Sequence, residues 1–138
     1  MDLKKLSIKE INALNKGTMM EHLHMEYIEI EDGKIIAHMP VNHTTFQPDK
    51  ILHGGATIAL AETVAGLGSS YIVDNIKFAV RGTHVSANHI RSTRKGNVIA
   101  TGTIVYKGSN MHVWNIDVTD EKNRILSTCR ITNMIVKK

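Results

Sequence analysis

Glu62 is the one charged side chain between Gly54 and Val73, a stretch otherwise almost entirely small or apolar. Burying a carboxylate there would cost on the order of several kcal/mol unless something pairs with it, and would raise its pKa. A sequence built for stability alone would place Ala or Leu at 62. A poorly solvated carboxylate is poised to act as a nucleophile or general base, and lone buried acids cluster at working sites. The plainer alternative is a structural carboxylate paired with a buried Arg or Lys. Just upstream, His53-Gly54-Gly55 leads into the same stretch. A helix beginning there presents unpaired N–H groups and partial positive charge, which suit a developing oxyanion. The glycines would let a reacting group approach the backbone closely. Gln47 lies six residues before His53, so both could point into one site, and its carboxamide can donate. A plainer reading stands beside this one too: a turn into a helix, with His53 a satisfied polar residue and Gln47 fixing the loop.

The elements that must position these residues follow from periodicity. Ile58, Ala61, Ala65 and Leu60, Val64, Leu67 recur at three- and four-residue spacing, which predicts a helix ending near Asp74-Asn75. Apolar residues surround it, so it is expected to be buried on most sides. Upstream, Ser7 to Leu14 reads as a short helix, with Ser7 and Glu10 as a capping box and Gly17 as its stop. Thr18 to His24 reads as irregular. Met25–Ile30 and Lys34–Met39 read as a hairpin about Glu31-Asp32-Gly33, ended by Pro40. Val41 to Leu52 reads as a loop rich in turn formers. Four strands follow: 78–90, 97–106, 111–119 and 124–136. The short turns 107–110 and 120–123 make the last three antiparallel neighbours. In the second, Val98, Ala100, Gly102 and Ile104 share one face. In the last, Ile125, Cys129, Ile131 and Ile135 alternate with Arg130 and Thr132.

The fold class is therefore α+β, a single domain over 1–138: one long helix and about six antiparallel strands curled around it. One sheet covers one side of a helix, so a helix apolar all round calls for a second subunit.

The 138 residues suffice for one domain with a sizeable core. Charged residues are 22% and hydrophobic residues 42%, the balance of a globular protein. The formal charge of +4 suits an anionic small molecule and falls short of a nucleic-acid-binding profile. The single Cys129 excludes an intramolecular disulfide or a cysteine-rich zinc site, and is compatible with a reducing cytoplasm. The eight histidines show no metal-ligand spacing, so no metal is expected. Met1 to Glu10 has no signal-peptide core, and Gly, Ser, Thr and Glu dilute 54–73 too far for a membrane span. Trp114, Met111 and Cys129 read as core or interface.

Gln47-Pro48, Leu52-His53-Gly54-Gly55 and Leu60-Ala61-Glu62, taken in this order, resemble the hotdog-fold thioesterases of the PaaI-like and hydroxybenzoyl-CoA thioesterase group. Ser86-Ala87-Asn88-His89-Ile90-Arg91-Ser92 resembles the strand after the helix in that group, and Gly108-Ser109 before Val113-Trp114 fits its later hairpin. The resemblance runs from about Ser7 to the end and is strongest to aryl-CoA thioesterases, including those of menaquinone and enterobactin synthesis. It implies a cytoplasmic acyl-CoA hydrolase without cofactor, coenzyme A being part of the substrate, in a homotetramer of two dimers. Glu62 would be nucleophile or general base. Gln47, His53 and the Gly54 N–H would meet the thioester carbonyl across a subunit interface from the partner's Glu62. Gly55, Gly66, Asn88, His89, Arg91 and Ser109 would line the acyl and coenzyme A sites. The basic run His89, Arg91, Arg94, Lys95 would take up phosphates, or else form a solvated edge.

Gly66 departs from the pattern. Relatives often carry Ser or Thr there, one turn past the carboxylate, to position water. The nearest hydroxyls here are Thr63, Ser69 and Ser70, and the missing side chain could widen the acyl pocket. Two other readings use the same cleft: a non-catalytic acyl-CoA-binding module, and a hydratase or dehydratase with His53 and Glu62 as its pair.

Overall fold

The computed structural model describes residues 1–138. Six antiparallel strands form one sheet in the order β1-β2-β4-β5-β6-β3. The strands are β1 (Glu26–Glu31), β2 (Lys34–Pro40), β3 (Phe78–His89), β4 (Asn97–Lys107), β5 (Met111–Thr119) and β6 (Ile125–Lys137). The helices are α1 (Ile8–Ala13), α2 (Met19–His22) and the 19-residue α3 (Gly54–Ile72). This is the expected hotdog arrangement, one long helix cradled by the sheet.

Local chemistry accounts for the elements. The Ser7 hydroxyl accepts from the Glu10 N–H, and the Glu10 carboxylate accepts from the Ser7 N–H at 2.8 Å, closing the capping box of α1. Gly33 turns the first hairpin at φ +85°. Val98 and Ala100 on β4, Trp114, Ile116 and Val118 on β5, and Ile131 on β6 are fully buried against Leu60, Ala61, Val64 and Ala65 of α3. Each large apolar side chain so buried contributes about 1.5–3 kcal/mol. No helix is long and apolar enough to cross a membrane.

Three expectations need correction. Residues 19–22 are helical, with the Thr18 hydroxyl capping α2 by accepting from the Met20 N–H. Ile125 is 38% exposed, because β6 is out of step at its start: Thr119 pairs with Ile125 and Val118 with Ser127. Leu126 and Ser127 turn inward instead. Third, α3 is buried along one stripe only, formed by Thr57, Leu60, Ala61, Val64, Ala65, Gly68 and Ser69. One sheet layer walls one side of a helix, and the N-terminal segment covers only part of the rest. Gly55 and Glu62 are exposed.

β3 forms one border of the sheet and is twelve residues long. Its register slips at Thr83, since Gly82 pairs with Asn133 and His84 with Thr132. Arg81, Gly82, Thr83 and His84 are all exposed along this border.

Candidate active site

The loop before α3 is tied down at both ends. The Leu52 N–H donates to the Thr93 carbonyl at 2.9 Å, and the His53 N–H donates to the Thr45 carbonyl at 2.8 Å. Within it, the Gln47 N–H donates to the Ile51 carbonyl, and the Gln47 carbonyl accepts from the Lys50 N–H. The Gln47 side-chain oxygen accepts from the Asp49 N–H. That contact fixes the carboxamide orientation and leaves its NH₂ free to donate.

Gln47, Gly54, Thr57, His89, Arg91 and Ser127 line one cavity of about 270 Å³ at the N-terminus of α3. The His89 Nδ1 lies 2.6 Å from the Ser127 hydroxyl, which pins the ring over the helix start. A Cβ on Gly54 would fall 2.7 Å from His89 Nε2, so only glycine lets the ring lie there. The Gly54 N–H has no acceptor in the chain, as the first residue of a helix should. Four of the residues picked out by type and spacing thus share one cavity, with an unspent backbone donor among them. His53 stands just outside it. Its Nδ1 accepts from the Gly55 N–H at 2.7 Å and caps α3. In the neutral ring the proton then sits on Nε2, which is left as a donor.

Glu62 is elsewhere. Its Oε1 lies 3.3 Å from the point a Gly82 Cβ would occupy, so the carboxylate rests against β3 at the bulge. It forms no ion pair with an Arg or Lys of its own chain. The expected burial of Glu62 is not found in one chain, because it lies off the buried stripe of α3 and meets only the exposed border strand β3. Eight residues separate it from Gly54, about 12 Å along the helix axis. One chain therefore keeps these groups apart: free donors at the start of α3, and a carboxylate two turns on.

Other candidates fall apart spatially. Asn88 projects from the face of β3 opposite His89, as strand alternation requires. Ser109 sits in the β4–β5 turn, where the Asn110 carbonyl accepts from the Ile135 N–H. His89 is paired with Ser127, near the other end of β6, so Asn88 and Ser109 do not join the cavity within one chain. Gly66 lines a separate cleft under the N-terminal segment. The nearby hydroxyls are largely committed: Thr63 donates to the Ala59 carbonyl at 2.7 Å, and Ser69 is fully buried.

Ser69 belongs to a cluster that the sequence did not reveal. The Trp114 Nε1–H at 2.9 Å and the Asn133 NH₂ at 3.0 Å both donate to its oxygen. The hydroxyl proton is then left for His112 Nδ1, 3.0 Å away. The Asn133 NH₂ also donates to the Ala65 carbonyl at 3.0 Å, fastening β6 to α3 one turn past Glu62. Burial lowers the His112 pKa, and nearby Lys107 adds to that. No spacing signal marks this cluster, since its members come from three elements. Cys129 is buried in the core, and burial raises its thiol pKa.

Residues 49–127 match the sequence profile of the Thioesterase superfamily. The chain belongs to that superfamily. It is 35% identical over 133 residues to the 1,4-dihydroxy-2-naphthoyl-CoA hydrolase of Escherichia coli, covering 96% of this chain and 97% of that one. It is 34% identical over 133 residues to the proofreading thioesterase EntH of Cronobacter turicensis, covering 96% of each. The crystal structure of thioesterase HI1161 from Haemophilus influenzae superposes with a TM-score of 0.92 at 34% identity, covering 96% of this chain and 92% of that one. The protein is a thioester hydrolase of the hotdog fold, and at the level of the superfamily its reaction is acyl-CoA hydrolysis.

Proposed function

We propose that the protein hydrolyses an aromatic or otherwise compact acyl-CoA to the free acid and coenzyme A, with neither metal nor redox cofactor. The observation that carries the residue assignment is the division of chemistry along α3: unspent donors at its start and an unpaired carboxylate two turns on. Glu62 either attacks the thioester carbon or takes a proton from the water that does. The carbonyl oxygen becomes an oxyanion, which the Gly54 N–H stabilises together with His53 Nε2–H or the Gln47 NH₂. The C–S bond then breaks and the coenzyme A thiolate takes up a proton; where Glu62 has attacked directly, water then hydrolyses the acyl–Glu62 anhydride, releasing the acid and restoring the carboxylate.

The 12 Å separation is best met by a homodimer in which the donors of one protomer face the partner's carboxylate, two such dimers forming a tetramer. Arg91 beside His89 at the cavity mouth, followed by Arg94 and Lys95, supplies cations for coenzyme A phosphates. Asn88 and Ser109, which lie away from the cavity in their own chain, would contribute from the partner. The dihydroxynaphthoyl-CoA hydrolase relative supports an aromatic acyl group and a place in menaquinone biosynthesis. A cytoplasmic location accords with one free cysteine and no disulfide.

Thiol release from a panel of aromatic and aliphatic acyl-CoAs tests this reading. Turnover is expected, fastest with aromatic esters. Tight binding without thiol release would mark a binding module instead, and hydration of an enoyl ester without thiol release would mark a hydratase.

A further inference from the structure

A second cleft, of about 320 Å³, lies between the N-terminal segment and α3. Leu3, Ile11 and Met20 form one wall, and Gly66 and Leu67 form the other. The position of a Gly66 Cβ has no neighbouring atom within 4 Å, so the missing side chain leaves real space. Gly66 is four residues from Glu62, on the same face of the helix and about 6 Å along its axis. An acyl group reacting at Glu62 need extend only one helical turn to enter the cleft.

Tyr27 supplies a polar group in this mostly apolar lining. The residue is 7% exposed, yet its hydroxyl bonds to no protein group. No side-chain polar atom of the protein is both fully buried and unpartnered, so this hydroxyl is open to the exterior. Its backbone is fixed on both sides by Asn12, whose Oδ1 accepts from the Tyr27 N–H at 2.8 Å and whose NH₂ donates to the Tyr27 carbonyl at 3.0 Å. Burial raises the phenol pKa, so the hydroxyl keeps its proton at neutral pH. A fixed ring that offers one unspent hydroxyl suits recognition of one polar atom on an otherwise apolar ligand.

Resting on the thioesterase reading with Glu62 at the reacting carbon, we infer that Tyr27 determines acyl specificity. Its hydroxyl hydrogen-bonds a polar substituent on an aromatic acyl group whose ring lies in the cleft beside Gly66. A site built around such a bond disfavours the analogue that lacks the substituent, because the bound ring then displaces water from the protein hydroxyl and gives it no partner in return.

The test compares kcat/KM for thiol release from benzoyl-CoA, its 2-, 3- and 4-hydroxy derivatives, and acetyl-CoA. The wild type should favour at least one hydroxylated ester over benzoyl-CoA. Tyr27→Phe should shrink that ratio about tenfold or more. Gly66→Leu, which fills the cleft and leaves Tyr27 in place, should lower the ratio of ring esters to acetyl-CoA by a similar factor. It decides the matter if Tyr27→Phe does not fold. Wild-type thiol release with either ratio unchanged in its variant overturns the inference. Absence of thiol release from every ester is a different result, because it removes the thioesterase reading itself.

Discussion

Two side chains in the loop before α3 are oriented by backbone groups. The Asp49 N–H holds the oxygen of Gln47, and the Gly55 N–H holds Nδ1 of His53, so each keeps a donor free for the proposed oxyanion. His112 shows the same logic inside the core. Two donors already occupy the Ser69 oxygen, so His112 must accept the hydroxyl proton and remain neutral. Its folded pKa lies below the ordinary value of 6.5, chiefly through burial. Above that value neither the folded nor the unfolded state is protonated, and the group has no effect on stability. As pH falls through 6.5 the unfolded state takes up a proton first, and stability is lost until the folded pKa is reached. Urea midpoints at pH 7.5 and 5.5 should therefore fall further for the wild type than for His112→Gln. Equal falls would show that His112 does not carry this dependence.

At the scale of elements, α3 does two jobs with two faces. Its inner stripe packs the core, and Ser69 on that stripe anchors side chains from β5 and β6. Ser69→Ala leaves the Trp114 Nε1–H, one bond of Asn133 and His112 without their common partner. It should destabilise the fold by about 1–3 kcal/mol in urea titration. The elements were legible in the sequence because hydrophobic period, capping residues and turn residues agree in each of them. The capping box at Ser7 and Glu10 and the alternation of β4 are examples. The burial of α3 was misread. Its outer face exposes Gly55 and Glu62, and small residues such as Gly66 look like core in a composition count but are only half-buried in one chain. The Ser69 cluster was illegible for another reason: residues 69, 112, 114 and 133 meet only through tertiary packing. Likewise, Gln47, His53-Gly54 and Glu62 were marked by type, whereas the exposure of Glu62 and its contact with β3 came only from the structure.

For the molecule as a whole, the proposed dimer would bring the donors of one chain to the partner's carboxylate and would use the exposed border of β3. A twelve-residue edge strand left unpaired is a template for association. If the site joins two protomers, Glu62→Gln and His53→Ala chains, each impaired alone, should regain activity when mixed and re-associated. A hybrid dimer then has one site with both native residues. No recovery in verified hybrids would place the whole site within one chain. The proposed mechanism turns on the Glu62 carboxylate, and Glu62→Gln removes its charge alone. The change keeps side-chain size and alters no ion pair. With the best acyl-CoA of the panel, kcat should fall about a hundredfold or more while the thermal midpoint stays near that of the wild type. A folded Glu62→Gln protein that releases thiol at the wild-type rate would contradict the account.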